Sequence, residues 1–147
     1  MSGDEKLKYK LHPMQLLSLN VRELSIVANV PPDISVGVDA QGDCSISTAQ
    51  SEYDREDHTI SIAMRLEVGI EESEKISPFS MKIEIVGDFS VDEENFPPES
   101  VDQFARMNAP FILLPYLREQ AYSLTAKCGF RPILLSLTEV PVIERLK

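Results

Sequence analysis

The chain has 147 residues, 43% hydrophobic and 26% charged, which suits one ordinary globular domain able to bury a core without a metal or disulfide. Its net charge of −10 is concentrated between residues 13 and 104, where 19 acidic groups face 5 basic ones; residues 1–12 carry +1 and residues 105–147 carry +3. A field of that sign repels phosphate backbones and argues against nucleic acid as a partner, while the absence of a long apolar run or an apolar leader argues for a cytoplasmic protein without membrane insertion.

Residues 1–13 are polar and basic and end at Pro13, so they read as a flexible tail ahead of a single domain over residues 14–147. Alternating apolar residues then begin with Leu17, Leu19 and Val21 and resume in the opposite phase at Leu24 and Ile26. A strand buries one face with period two, so the slip at Arg22–Glu23 predicts a β-bulge. Pro31-Pro32 closes that element, and Ile34, Val36 and Val38 read as a short second strand. Residues 40–57 form a polar loop with room for a short strand around Ile46. Perfect alternation over Ile60, Ile62, Met64, Leu66, Val68 and Ile70 predicts a third strand. A fourth follows an eight-residue connection, with Phe79, Met81, Ile83, Ile85, Phe89 and Val91 in one phase, and the short connection implies an antiparallel hairpin.

Helical chemistry begins after Pro97-Pro98. Ser100 and Gln103 have capping-box spacing, and Val101, Phe104 and Ala105 support about two turns of helix. A longer helix over residues 111–127 either kinks or begins at Pro115 and ends at Gly129, a left-handed cap. Leu113, Leu117, Ala121 and Leu124 form one apolar stripe, but Phe111, Ile112, Leu114, Tyr116 and Tyr122 extend apolar surface round the cylinder. A helix lying on one sheet needs one apolar side, so a second layer from another subunit or a partner is expected over this one. The apolar residues 132–137 and 140–143 lack a helical period and read as an extended segment near the helix.

Catalytic signals are missing. The two histidines, His12 and His58, have no nucleophile beside them, and no nucleophile elbow, phosphate loop or dinucleotide fingerprint occurs. The run Asp54-Arg55-Glu56-Asp57-His58 lacks the glycine and oxygen spacing of a calcium loop and reads as a solvated turn. Cys44 and Cys128 lie far apart in the sequence and read as reduced structural residues. No metal, cofactor or enzymatic role is expected; the composition points to a protein that offers apolar surface to other polypeptides.

Residues 87–118 carry a resemblance. Gly87-Asp88-Phe89-Ser90-Val91, followed by Asn108-Ala109-Pro110-Phe111-Ile112-Leu113-Leu114-Pro115-Tyr116-Leu117-Arg118-Glu119, is similar to the SecB family of protein-export chaperones, as is Val21-Arg22-Glu23-Leu24-Ser25. The resemblance implies an α+β fold, a four-stranded antiparallel sheet followed by helices packed on one face. It also implies a homotetramer with long helices between sheets, and an ATP-independent holdase that binds non-native clients and delivers them to the SecA motor. On this basis Ile34, Val36, Val38, Phe79, Met81, Ile83 and Ile85 are candidate client-binding residues, with plain sheet core as the alternative. Ile112, Leu113, Tyr116, Leu117, Ala121 and Leu124 are candidates for a dimer or tetramer interface, which leaves Ile34, Val36, Val38 and the C-terminal segment as the better client candidates. Glu23 matches one acidic SecA-docking position, whereas Val27, Ser80 and Lys82 stand where the family pattern has glutamate, leucine and glutamate. Pro115-Tyr116, Arg118-Glu119 and Leu124-Thr125 also resemble divergent members that protect an antitoxin, so a dedicated adaptor for one such partner is the competing reading.

Overall fold

A computed structural model of the chain describes residues 8–39, 44–70 and 76–135. Four strands form one antiparallel sheet: β1 (Met14–Ala28), β2 (Cys44–Gln50), β3 (Thr59–Val68) and β4 (Phe79–Val91), in the order β1-β4-β3-β2. A 3₁₀ turn (Pro98–Ser100) leads into α1 (Val101–Met107) and α2 (Ala109–Cys128). The expected α+β architecture is present, with α2 packed on one face of the sheet.

The central hairpin follows directly from side-chain period. In β3 the even residues Ile60 to Val68 are buried, and in β4 the odd residues Phe79 to Val91 are. Pairing sets Ile60 beside Phe89, Met64 beside Ile85 and Val68 beside Met81, so both strands turn the same face to the helix layer. Only at Gly87 does that face lack a side chain, and there a side chain of the helix fills the space: a Cβ would stand 2.6 Å from Leu113 Cδ2. Gly87 is therefore the notch in which Leu113 of α2 is seated. The third strand stops at Val68, two residues earlier than its alternation suggests, and Ile70 lies partly exposed in the turn.

Two register shifts interrupt β1, between Leu16 and Ser18 and between Val21 and Glu23. The second is the bulge expected at Arg22. The first corrects the reading of Leu17, which is itself the extra residue and is exposed; Met14, Leu16, Leu19, Val21, Leu24 and Ile26 take the helix-side positions.

The expected strand at Ile34–Val38 is absent. Asp33 captures the amide and hydroxyl of Ser35 through Oδ1 at 2.8 and 2.7 Å, and the Val36 amide donates to the Asp33 carbonyl, so the chain turns instead of extending. The edge position beside β3 belongs to β2, where Ile46 pairs with Leu66. Since β1 and β2 occupy opposite edges, the segment joining them crosses the sheet, and residues 29–39 form the described part of this crossover.

Ser100 makes no side-chain capping bond, contrary to its spacing; the preceding 3₁₀ turn closes through the Ser100 amide and the Pro97 carbonyl. Pro115 lies inside a helix that begins at Ala109, its ring directed to solvent. At the other end Gly129 adopts φ 92°, its amide donates to the Ala126 carbonyl, and the Phe130 amide donates to the Thr125 carbonyl. This Schellman closure turns the chain back, and Phe130 stacks on Phe79 with centroids 4.9 Å apart. At the N-terminal end, the His12 ring lies against Phe96 and Phe104, and the Pro13 carbonyl accepts the Asp92 amide, so residues 12 and 13 are held in place just before β1.

Candidate interaction surfaces

The helix side of the sheet divides into a covered and an uncovered part. Phe79, Met81, Ile83 and Ile85 are completely buried. They therefore belong to the core beneath the helix layer, and the folded chain does not present them to a client. Their alternation is that of any strand covered by a helix, and it carries no separate signal for binding.

Edge strand β1 is less covered. Val21 and Leu24 pair with Ile85 and Ile83 and share their face, yet remain 44% and 46% exposed. Sequence reasoning missed this pair as a site because the alternation marks the face but not how far the helix reaches across it. The outward edge of β1 also has no strand beside it among the described residues, although it is 15 residues long. Long apolar edges are templates for pairing with another chain.

The six candidate interface residues of α2 separate in the same way. Leu113, Leu117 and Ala121 are fully buried within the chain, and Leu124 is half-buried against the core. Ile112 and Tyr116 lie on the outer side, 40% and 43% exposed, with Tyr122 two turns further along. The two-sided apolar character read from the sequence thus corresponds to an inner face seated on the sheet and an outer face open to a further layer.

A third apolar region lies between the C-terminal half of α2 and the crossover. Ile34 is 79% exposed, while Val36 and Val38 are half-buried and pack against the core. Beside them runs the extended segment 130–135, whose Arg131 amide donates to the Val36 carbonyl at 2.8 Å. Thr125, buried in α2, accepts the Ile133 amide on Oγ1 at 3.0 Å while its hydroxyl donates to the Ala121 carbonyl. Arg118 Nε donates to the Leu135 carbonyl at 3.2 Å.

The opposite face of the sheet is polar. Arg65 bridges three strands there, with Nε 2.8 Å from Glu67, Nη2 3.2 Å from Glu23 and Nη1 3.8 Å from Glu84; Arg22 approaches Glu84 from the bulge. Glu23 is thus already engaged by a guanidinium at both oxygens. Val27 and Ser80, and Ser25 and Lys82, are paired neighbours on this face. Close by, Asp88 accepts hydrogen bonds from Ser61 and Ser18, which hold its carboxyl below the usual carboxylate range.

At the hairpin tip the acidic run serves the turn. Asp54 Oδ1 accepts the amides of Glu56 and Asp57, and Tyr53 donates to Glu93 at 2.6 Å. Burial and the carboxylate of Glu93 push the Tyr53 hydroxyl up to about 12. His58, held at φ 54°, places Nδ1 3.1 Å from the same carboxylate. Among the described residues no cluster has the make-up of a metal site, and no helix is long and apolar enough to cross a membrane.

The helix-backed sheet has counterparts among known proteins. The model of the family described as "Preprotein translocase subunit SecB" matches residues 8–140. The protein-export protein SecB of Anaplasma phagocytophilum is 30% identical over 119 residues, covering 78% of this chain and 72% of its own length. That of Magnetococcus marinus is 23% identical over 137 residues, covering 92% of this chain and 85% of its own. Among solved structures, the SecB-like chaperone of Mycobacterium tuberculosis, determined with a ChAD peptide from the HigA1 antitoxin, superposes with a TM-score of 0.67 at 18% identity, over 88% of this chain and 94% of that one. The fold is shared with that chaperone, and the sequence match across residues 8–140 makes the chain a divergent member of the SecB family of protein-export chaperones, which are not enzymes.

Proposed function

We propose that the protein is a cytoplasmic, ATP-independent holdase that keeps non-native polypeptides from aggregating on their way to export. The observation that carries this reading is the apolar surface left open on a folded chain: Val21 and Leu24 on β1, Ile112 and Tyr116 on α2, and Ile34 beside the crossover. Burial of such surface yields about 25 cal/mol per Å² before ordering costs, so binding needs no nucleotide or cofactor. The open edge of β1 and the outer face of α2 suit self-association into a dimer or tetramer. Ile34, Val36 and Val38 then line the client region, with the segment 130–135 packed beside them.

Two observations frame the choice of partner. The Mycobacterium tuberculosis relative was solved with an antitoxin peptide, which favours, as a second reading, a dedicated adaptor for one antitoxin-like partner. The ion pairing of Glu23 with Arg65 weighs in the same direction, since a carboxylate already satisfied within the chain has less to offer the SecA motor. Dilution of an unfolded model protein with and without a several-fold excess of this protein, followed by light scattering, tests the holdase: aggregation is suppressed if the reading holds, and unchanged scattering refutes it. Affinity purification separates the two roles, because one stoichiometric partner marks an adaptor and a heterogeneous set marks a general holdase.

A further inference from the structure

The segment 130–135 is bound to the rest of the chain much as a separate peptide would be. Phe130, Ile133 and Leu135 are buried, whereas Arg131 and Leu134 face outward. It enters no strand ladder. Its backbone is held instead by a crossover carbonyl, the hydroxyl of Thr125 and the guanidinium of Arg118. Extended backbone, apolar anchors and hydrogen bonds to side chains of a groove are the elements of peptide recognition.

We propose that the client region is a channel between the C-terminal half of α2 and the crossover, and that residues 131–135 are an internal competitor for it: they occupy it in the free protein, and an extended apolar stretch of a client displaces them. The proposal rests on the holdase reading above. Displacement is an exchange of like for like. A client amide takes the Thr125 Oγ1 position vacated by Ile133, a client carbonyl takes Arg118 Nε, and a client donor takes the Val36 carbonyl, so no buried polar group is orphaned. Phe130 stays behind, anchored on Phe79 and by the Schellman closure, and acts as the hinge point. The arrangement shields the channel when no client is present and makes apparent affinity depend on how often the segment lifts.

The probe is carboxymethylated α-lactalbumin, which stays unfolded and is labelled for fluorescence anisotropy. Ile133→Ala weakens the segment's grip without touching Thr125, Arg118 or the crossover, and the variant binds the probe about ten-fold more tightly than the wild type as the open fraction rises. Equal or weaker binding overturns the proposal and makes the segment a fixed wall of the channel. Hydrogen exchange on the wild-type protein provides a second arm that does not depend on a variant folding. Amides 131 and 133, which give up their hydrogen bonds, exchange faster with the probe bound; unchanged or slower exchange refutes displacement. A wild type that never binds the probe, with the Ile133 variant equally inert, refutes the holdase reading and this one together, whereas a binding wild type with a static segment refutes this one alone.

Discussion

Replacing Ile112 and Tyr116 by aspartate probes whether the outer face of α2 holds subunits together. Both residues are about two-fifths exposed in the single chain, and that exposed part is surface the monomer does not use for folding. A tyrosine offers roughly 200 Å², and covering the exposed 43% at about 25 cal/mol per Å² amounts to about 2 kcal/mol. The exposed part of Ile112 adds about 1 kcal/mol on the same scale. Each copy then loses about 3 kcal/mol, and a two-fold contact loses about 6 kcal/mol, roughly a ten-thousand-fold rise in the dissociation constant. Buried aspartates only increase the penalty. Sedimentation velocity at micromolar concentration should show an oligomer for the wild type and a folded monomer for the double variant, with matching far-UV circular dichroism. A variant that keeps the wild-type mass, or a monomeric wild type, refutes the assignment of this face to assembly.

Gly87→Ala brings a methyl group to 2.6 Å from Leu113 Cδ2 and 3.1 Å from Leu16 Cδ1, an overpacking cost of about 1–3 kcal/mol in urea denaturation. Leu113→Ala costs about 2–5 kcal/mol alone, but in its presence the alanine at 87 has room; simple additivity of the two losses would refute the notch. Asp88 has a carboxyl lowered by the hydroxyls of Ser61 and Ser18, so its stabilisation is full above the unfolded carboxylate range near pH 4 and disappears as pH falls through the depressed folded value. Asp88→Asn should therefore flatten the acid limb of a melting-temperature profile below pH 4; an unchanged slope there refutes the role given to the two serines.

Much of this protein is legible locally. The alternation of Ile60 to Val68 specifies a strand with one buried face, the slip after Val21 specifies a bulge, and Gly129 specifies where α2 ends, because each depends on residues within a few positions of it. The excess apolar surface of α2 was equally readable, since helical period assigns residues to faces without reference to anything else. Tertiary structure alone decided which alternating segment joins the sheet: Ile34, Val36 and Val38 have the pattern, yet the Asp33–Ser35 turn diverts them and Cys44–Gln50 takes the edge. Leu17 becomes a bulge for the same reason, as register is fixed by the partner strand. Ser100 keeps its capping sequence but makes no cap, the preceding turn having positioned it otherwise. The division of the apolar residues into core and available surface was also decided there. Phe79 to Ile85 and Val21 with Leu24 share one face of one sheet, and only the reach of α2 and the segment after it across that face buries the first group and leaves the second open. Period follows from chain geometry and is written in the sequence, whereas coverage depends on contacts between residues far apart in the chain and exists only once it has folded.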